Sequence, residues 1–211
     1  MDLSSSRTSY ERGTLGVADV GPDPIVTLRA WIEEARAGGV AEPNAMCLAT
    51  ADERGVPSAR IVLLRGLDAR GLAFYTSYFS RKGRELESNP NAAATFFWPE
   101  LQRQVRVEGT VERLSEDESD AYFRSRPRGH RLAAWASEQS EPIVRRDDLD
   151  ERVAHFDERF AGEEVVRPHS WGGYAIAPRR IEFWQGRKNR LHDRLVFARK
   201  AGGWDLRRLQ P

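Results

Sequence analysis

Hydrophobic and polar residues alternate over short stretches of this chain, which predicts β-strands. The clearest example is QVRVEGTVERL, in which Val105, Val107 and Val111 alternate with polar side chains, so that one face is buried and the other is solvated. Similar runs are NAMCLATA, SARIVLL, GLAFYTS, AAATFFW, WGGYAIA, RIEFWQ, RLHDRLVFA and WDLRRL. Because successive strands are close in sequence and glycine-containing turns separate several of them, we expect antiparallel pairing.

The first of three predicted helices is marked at both ends. Asp23 suits the N-cap, Pro24 suits the first helical position and Gly38 suits the C-terminal stop. Between them, apolar residues recur at helical spacing from Ile25 to Ala35 and form a stripe that would face the core.

Two further helices are predicted between the strands. One begins at the capping box formed by Ser115 and Glu118 and ends before Pro127, which cannot continue it. The other spans about residues 147–160, where four apolar side chains share one face.

Together, nine strands and three helices predict a mainly β fold of the α+β class. We expect one domain over residues 21–211, built as a small antiparallel barrel with helices around it. Residues 1–20 are polar and lack a clear period, so they are predicted to form a flexible N-terminal arm.

The composition excludes several classes of protein. The net charge of the 211-residue chain is +1, which is unlike that of a nucleic-acid-binding domain. No apolar run approaches the ~20 residues of a membrane span, so we expect a cytoplasmic protein. The one cysteine, Cys47, lies in an apolar run and is interpreted as an inert thiol. The four histidines lack metal-ligand spacing, so no metal site is expected.

Positive charge is instead concentrated in three places, which indicates a small anionic ligand. In YTSYFSRKGREL a strand gives way to a helix that Ser80 can cap, with Arg81 and Lys82 in its first turn. Free backbone N–H groups and the helix dipole attract anions there, and phosphate is the natural ligand. The alternative is a solvated, charged turn.

The second concentration is FRSRPRGHR, at the predicted end of the second helix. Its basic residues are Arg124, Arg126, Arg128, His130 and Arg131. The C-terminal helix dipole favours one or two cations at such an end. The excess over what capping needs is consistent with a phosphate site.

The third concentration ends the stretch EFWQGRKNRLHDR. If its last residues form a strand, Arg190, His192 and Arg194 share one face, and an anion between them would offset their repulsion. The alternative is a solvated face that nearby acidic residues neutralise. Trp184, just upstream, could stack on a planar ring, although a tryptophan in a strand is more commonly part of the core.

One apolar strand, RIVLLR, carries Arg60 and Arg65 at its two ends. Strict alternation places them on opposite faces, so they can serve one pocket only if one acts from the strand end or through backbone groups. Three basic clusters on a barrel of short strands predict a ligand with more than one anionic group.

Several long blocks of the chain resemble the pyridoxine/pyridoxamine 5′-phosphate oxidase family. IEFWQGRKNRLHDR is similar to the family's C-terminal signature, and RIVLLR, FYTSYFSRKGREL, LQRQVRVEG, YFRSRPRG and WASEQS are similar to its other blocks, in the same order. The resemblance covers nearly the whole chain. It implies an FMN-binding split β-barrel that forms a homodimer with the active site between subunits. It further implies oxidation of pyridoxamine or pyridoxine 5′-phosphate to pyridoxal 5′-phosphate, with dioxygen as acceptor and hydrogen peroxide as a product.

The resemblance also implies roles for individual residues. The positions expected at the cofactor are Arg60, Ile61, Val62, Leu63, Tyr75, Thr76, Ser80, Arg81, Lys82, Gln104, Gln139, Ser140, Trp184 and Arg194. Those expected at the substrate are Arg7, Tyr10, Arg65, Tyr122, Arg126, His130, Arg190 and His192. Among them, Arg190 and His192 match residues over the substrate ring and are the expected catalytic pair, and Arg7 and Tyr10 match an arm that folds over the site.

Two residues depart from the family pattern at the substrate phosphate. Arg65 replaces the usual lysine and His130 replaces the usual serine. Both can donate hydrogen bonds to phosphate, but they change the shape and charge of the pocket. Two other interpretations therefore stay open: a related oxidase with another substrate, such as a phenazine-biosynthesis enzyme, and a flavin- or pyridoxal-phosphate-binding protein without turnover.

Overall fold

The computed structural model describes residues 9–211, which fold into nine strands and five α-helices. The helices are α1 (Pro24–Ala37), α2 (Arg81–Ser88), α3 (Glu116–Ser125), α4 (Arg128–Ala136) and α5 (Asp147–Arg159). The strands are β1 (Ala45–Ala51), β2 (Pro57–Leu63), β3 (Gly66–Asp68), β4 (Gly71–Ser77), β5 (Asn91–Trp98), β6 (Arg103–Arg113), β7 (Trp171–Gln185), β8 (Asp193–Lys200) and β9 (Gly203–Arg208).

Every strand pair is antiparallel, as the sequence pattern predicts. The strand order is β2-β1-β5-β6-β7-β4-β3, and β8 pairs with β7 and β9. The long strand β7 has β6 along one side, while β4 and then β8 pair with its other side. This branching curls the sheet into a half-barrel, which confirms the predicted mainly β, α+β architecture.

The middle of β7 contains Pro178, and the strand continues through it. The register with β6 shifts at Gly109, which lies opposite this proline. A Cβ atom at Gly109 would lie 2.2 Å from the carbonyl oxygen of Ala177, so the close approach requires glycine. The prediction of two separate strands, WGGYAIA and RIEFWQ, was therefore wrong, because the irregularity accommodates a residue that lacks an N–H group.

The inner face of the sheet forms the main core with α1. Phe74, Phe96 and Phe183 are fully buried, and Trp31 of α1 packs edge-on against Phe183 with ring centroids 5.0 Å apart. The apolar stripe predicted for this helix is buried, and the Asp23 carboxylate accepts a hydrogen bond from Ile25 N at 2.8 Å. Both results confirm the predicted helix.

The segment FRSRPRGHR was wrongly predicted to lie at the end of a single helix. Pro127 follows α3 and is also the N-cap of α4, which the sequence analysis missed. Arg128, His130 and Arg131 therefore lie in the first turn of α4, where the helix dipole does not favour cations. The dipole at a helix C-terminus therefore does not explain why these three basic residues lie here.

The alternation RLHDR was also wrongly predicted to lie within a strand. Lys188–Arg190 forms a 3-10 turn, and β8 begins only at Asp193. Asn189 and Arg190 have φ values of 57° and 60°, so the backbone there is left-handed rather than extended. The strand rule that would place Arg190, His192 and Arg194 on one face does not apply.

The described part of the N-terminal arm contacts the barrel. Leu15 is buried, and its backbone N–H donates to Oδ2 of Asp193 at 3.1 Å. The predicted boundary between arm and domain stays a prediction.

Within residues 9–211, no helix combines the length and apolar character needed to cross a membrane.

Candidate active site

A cavity of about 1100 Å³ opens between β2, β4, the start of α2 and the α3–α4 connection. The predicted site residues that line it are Arg60, Ile61, Val62, Leu63, Arg65, Tyr75, Thr76, Arg81, Lys82, Tyr122, Arg126, His130, Gln139 and Ser140. Arg60 reaches the cavity from within β2, whereas Arg65 lies beyond the end of that strand. The two arginines of RIVLLR thus share one cavity because one of them acts from outside the strand.

The first turn of α2 forms one end of the cavity. Ser80 is the N-cap, as predicted, and its Oγ accepts a hydrogen bond from Gly83 N at 3.3 Å. Ser80 is fully buried and does not line the cavity. The backbone N–H of Arg81 donates to Oγ of Ser140 at 3.1 Å, which ties the 137–140 segment to this helix start.

A buried carboxylate, Glu85, fixes the two arginines at this end. It accepts hydrogen bonds from Nε of Arg81 at 2.8 Å and from Nη2 of Arg60 at 3.2 Å, as well as from the hydroxyls of Thr50 and Ser58. Burial alone would raise the pKa of Glu85, but these hydrogen bonds lower it to about 2. Glu85 is therefore ionised at neutral pH and partly neutralises Arg60 and Arg81.

Lys82 is buried in the same place, and within the described part of the chain it has no carboxylate partner. Its Nζ donates to Oγ1 of Thr76 at 3.1 Å, Oγ of Ser80 at 3.3 Å and Oε1 of Gln139 at 3.3 Å, all of which are neutral acceptors. Burial and the charge of Arg60 lower the pKa of Lys82 to about 8. A buried ammonium group without a counter-ion is costly, and a bound anion would relieve that cost.

The other basic group of the cavity contains Arg65, Arg126 and His130. Within residues 9–211, Nη1 of Arg126 is buried and has no hydrogen-bond partner. Burial lowers the pKa of Arg126, and the nearby charge of Arg65 lowers it further. Among the residues that the structure describes, no carboxylate pairs with Arg65 or Arg126, and this positive charge suits a second anionic group.

Three aromatic rings stand beside this second group in nearly parallel planes. Tyr75 stacks on Tyr122 with centroids 3.8 Å apart and an interplanar angle of 18°. Trp171 is 5.7 Å from Tyr75 and 6.2 Å from Tyr122, at angles of 15° and 5°. They form an apolar wall beside the second basic group, in which the rings pack on one another.

Apart from the buried Ser80, the remaining predicted site residues that the structure describes form a second group, which does not line the cavity. Gln104, Trp184 and Arg194 are register partners across β6, β7 and β8, so they lie in one row on the outer face of the sheet. Arg194 makes a bidentate contact with the buried Glu182, with distances of 2.8 Å and 3.1 Å. This ion pair holds the guanidinium against the outer face.

His192 lies over this row together with Tyr10. The ring centroids of His192 and Trp184 are 4.7 Å apart, and Tyr10 lies 5.7 Å from each of them. Nδ1 of His192 accepts a hydrogen bond from the backbone N–H of Arg187 at 3.1 Å. Burial and the charge of Arg190 lower the pKa of His192, so its neutral form is favoured.

The structure therefore divides the predicted site residues between two places on one chain. The cavity holds most of the expected cofactor and substrate-phosphate contacts, and the outer group holds Gln104, Trp184, Arg194, Tyr10 and the expected catalytic pair. Arg7 lies outside the described residues.

The sequence analysis missed several residues around the cavity, and three of them matter for its chemistry. Ser58 and Trp171 line it, and Glu85 holds two of its arginines. The i, i+4 spacing of Arg81 and Glu85 was an available signal for that ion pair.

The comparisons with known proteins agree over the whole chain. Residues 32–159 match the family model described as pyridoxamine 5′-phosphate oxidase, and residues 171–211 match that of the pyridoxine 5′-phosphate oxidase C-terminal dimerisation region. A pyridoxine/pyridoxamine 5′-phosphate oxidase of Rubrobacter xylanophilus is 57% identical over 100% of this chain and 97% of its own length. The enzyme of that name from Burkholderia thailandensis is 54% identical over 99% of both chains.

Two solved structures support the same fold. PhzG from Burkholderia lata, in complex with tetrahydrophenazine-1-carboxylic acid, is 33% identical with a TM-score of 0.87, over 94% of this chain and 100% of its own. A pyridoxamine 5′-phosphate oxidase-related, FMN-binding protein of Nostoc punctiforme has a TM-score of 0.71 at 18% identity, over 91% of this chain and 100% of its own. The second likeness concerns the fold alone.

Three findings lead to one assignment: the high identity over the full length, the two matching family models and the observed half-barrel. The chain belongs to the pyridoxine/pyridoxamine 5′-phosphate oxidase family and is a flavin-dependent oxidase of that type.

Proposed function

We propose that this protein oxidises pyridoxamine 5′-phosphate and pyridoxine 5′-phosphate to pyridoxal 5′-phosphate, with FMN as cofactor and dioxygen as acceptor, and releases hydrogen peroxide. With the amine substrate, water is also consumed and ammonia is released. One observation carries the proposal: a single cavity contains two basic groups, each with a desolvated cation that forms no ion pair with a carboxylate of residues 9–211. In the group at the start of α2 this cation is Lys82, and in the second basic group it is Arg126. Two phosphorylated ring compounds would satisfy both groups.

The residues at the start of α2 fit the phosphate of FMN. Lys82 and Arg81 would hold it with Ser140, while Arg60 and Thr76 line the adjoining wall. Charge-assisted hydrogen bonds of this kind contribute about 1.5–3 kcal/mol each. When bound, FMN supplies the acceptor for the hydride that leaves the substrate carbon and the means of passing electrons to dioxygen.

A homodimer would bring the outer group of residues to the cavity of the second subunit. Phe97 is the register partner of Gln104, and it is exposed over 52% of its surface on the same outer face as Trp184 and Arg194. Ile61, also on that face, is exposed over 65%. These exposed apolar side chains, together with the dimerisation-region match over residues 171–211, support pairing through this face.

In such a dimer, His192 and Arg190 of one subunit would lie over the substrate ring held by the other. His192 accepts a hydrogen bond at Nδ1, so its neutral ring carries the proton on Nε2 and can donate it towards the substrate. Arg190 would supply the fixed positive charge. These two side chains orient the substrate and stabilise charge near its ring, and the proposed mechanism requires no obligate general base.

The second cationic group would hold the substrate phosphate. Arg65 and Arg126 offer two guanidinium forks, His130 lies beside them in the lining, and Tyr122 offers a hydroxyl. This charge favours a phosphate monoester. The phenazine-type alternative rests on a 33% identical structure, whereas the vitamin B6 assignment rests on relatives of 54–57% identity.

Turnover by the purified holoprotein tests the substrate. With pyridoxamine 5′-phosphate and air, we expect peroxide and pyridoxal 5′-phosphate in equal amounts, and much slower turnover of pyridoxamine without its phosphate. Absence of both products would refute the proposed activity. Oxidation of a reduced phenazine carboxylate alone would support the phenazine-type alternative, and an inert flavoprotein would support the binding-protein alternative.

Subunit complementation tests the shared site. Arg126→Gln damages the cavity, and His192→Ala damages the outer group. In the proposed dimer, each variant homodimer is impaired, but a mixed dimer contains one intact site. Co-refolding the two variants should therefore restore up to about a quarter of wild-type activity, since about half of the dimers are mixed and each has one of two sites. A chain carrying both substitutions, mixed with wild type, is the control. No recovery in mixed dimers would contradict a site shared between subunits.

A further inference from the structure

Arg126 is held in the cavity by aromatic rings rather than by a carboxylate. Its guanidinium carbon lies 4.5 Å from the centroid of the Trp171 ring and 5.6 Å from that of Phe123. Among the described residues, Arg126 forms no ion pair, and its buried Nη1 donates to no protein atom. The charge of Arg65 adds to the cost of keeping it there.

The two arginines at the opposite end of the cavity are held differently. Arg60 and Arg81 both bind the carboxylate of Glu85, which occupies N–H groups on each guanidinium. A carboxylate is the usual partner of a buried guanidinium, but it uses the same N–H edge that would bind a phosphate. A ring face attracts the cation through the guanidinium plane, so the N–H edge stays free.

The ring of Trp171 is itself fixed in place. Trp171 is the first residue of β7 and is buried, with only 8% of its surface exposed. Its backbone N–H donates to the carbonyl oxygen of Pro168 at 3.0 Å, and its own carbonyl accepts from Arg167 at 2.6 Å. Tyr75 and Phe123 pack against the ring at 5.7 Å and 5.2 Å. The face offered to Arg126 therefore has little freedom to move.

We propose that Trp171 is a positioning residue for Arg126: its ring holds the guanidinium plane so that the unpartnered N–H edge is available to the phosphate monoester of the substrate. This inference rests on the proposed function, and it adds a residue that selects for the phosphate group. The ring acts through Arg126 and need not touch the reacting atoms. Loss of the ring should thus weaken recognition of the phosphate and leave recognition of the pyridine ring unchanged.

The test compares binding of pyridoxal 5′-phosphate and pyridoxal to the purified holoprotein by titration of their absorption. A cation–π contact of this type has an expected effect of about tenfold. Trp171→Leu should therefore weaken binding of pyridoxal 5′-phosphate about tenfold and raise the KM for pyridoxamine 5′-phosphate similarly, with little change in kcat and in binding of pyridoxal. Trp171→Phe keeps a ring face and should recover most of the loss.

Two comparison variants make the outcome specific. Trp204→Leu removes a ring that stacks on Arg199 at 4.9 Å in the β8–β9 hairpin, and it should change neither ligand's affinity. Arg126→Gln should reduce phosphate selectivity, and adding Trp171→Leu to it should cause no further loss. If Trp171→Leu does not fold, Trp171→Met, which fills more of the space of the indole without a ring face, replaces it in the same single-variant and double-variant comparisons.

The outcomes separate this inference from the proposed function. If Trp171→Leu loses the same affinity for pyridoxal 5′-phosphate and for pyridoxal, Trp171 only supports the fold. If the variant keeps wild-type affinity for both ligands, Arg126 needs no ring to hold it. Either result overturns the inference while wild-type turnover of the phosphorylated substrate still supports the function. A wild-type protein that binds the two ligands equally would also overturn the inference, whereas the proposed function is refuted only if neither product forms.

Discussion

Replacement of Lys82 by methionine separates anion binding from folding at the start of α2. The substitution keeps the length of the side chain but removes a buried ammonium group whose pKa burial and Arg60 lower from 10.5 to about 8. At 1.36 kcal/mol per pKa unit, that difference corresponds to a destabilisation of the apoprotein of about 3 kcal/mol. We therefore expect Lys82→Met to raise the unfolding free energy of the apoprotein at pH 7.

The pH dependence follows from the same pKa difference. Below pH 8, Lys82 is protonated in both the folded and unfolded states, so its cost is fully present. Between pH 8 and 10.5 the folded apoprotein loses the proton first, so stability rises with pH. Lys82→Met should lack this rise, and bound FMN should also suppress it by stabilising the ammonium group. Urea unfolding of the apoprotein across this range measures the effect.

Lys82→Met should weaken binding of FMN even though it stabilises the apoprotein. Loss of one charge-assisted hydrogen-bonding group costs about 1.5–3 kcal/mol, which is about ten- to a hundredfold in Kd. Fluorescence quenching of FMN measures Kd, and Lys200→Met, at an exposed position on β8, is the matched control. An apoprotein that is destabilised by Lys82→Met and still binds FMN with wild-type affinity would refute the assignment of this end to phosphate.

Three further substitutions test other contacts. The unfolding free energy of the wild type should fall by about 3 kcal/mol as the pH falls from 4.5 towards 2, because Glu85 is protonated in the unfolded state first. Glu85→Gln should lack this pH-dependent contribution, as measured by urea unfolding, and identical acid profiles of the two proteins would contradict this. Glu182→Gln weakens the ion pair that holds the guanidinium of Arg194 and should weaken FMN binding. Glu108→Gln, in the half-exposed ion pair with Arg106, should leave FMN binding unchanged. Equal effects of the two variants would argue against a specific role of Glu182. Gly186→Ala places a Cβ 2.7 Å from the Tyr10 ring and should speed tryptic cleavage of the N-terminal arm, whereas Gly129→Ala meets no atom within 4 Å and should leave the rate unchanged.

Local signals in the sequence predicted the individual elements well. The N-caps Asp23, Ser80 and Ser115 all accept the backbone hydrogen bonds expected of them, because capping depends on residues only two or three positions away. Alternation within β6 likewise predicted its buried valines. These features need no information from distant parts of the chain.

Two of the errors arose where one residue serves two elements or adopts an uncommon conformation. Pro127 ends one helix and begins the next, so the sequence signal for a stop concealed α4. Arg190 has a left-handed backbone, which is uncommon for arginine, and no neighbouring residue indicates it. The apparent alternation from Arg190 to Arg194 was therefore misleading.

The composition of the cavity could not be predicted from spacing. Arg65 and Arg126 are far apart in sequence, and they meet only because the half-barrel brings β2 close to the α3–α4 connection. Trp171 gave no signal, since a tryptophan at the start of a strand is commonly part of a core. The resemblance to a family supplied most of the site residues, but not their division between two places on the chain.

An anaerobic titration tests the central claim most directly. Purified protein containing FMN is followed by its visible absorption while pyridoxamine 5′-phosphate is added without dioxygen. The proposed function predicts that the flavin absorption bleaches as pyridoxal 5′-phosphate forms in equal amount, and that air restores it. A flavin spectrum that stays unchanged at saturating pyridoxamine 5′-phosphate would contradict the account.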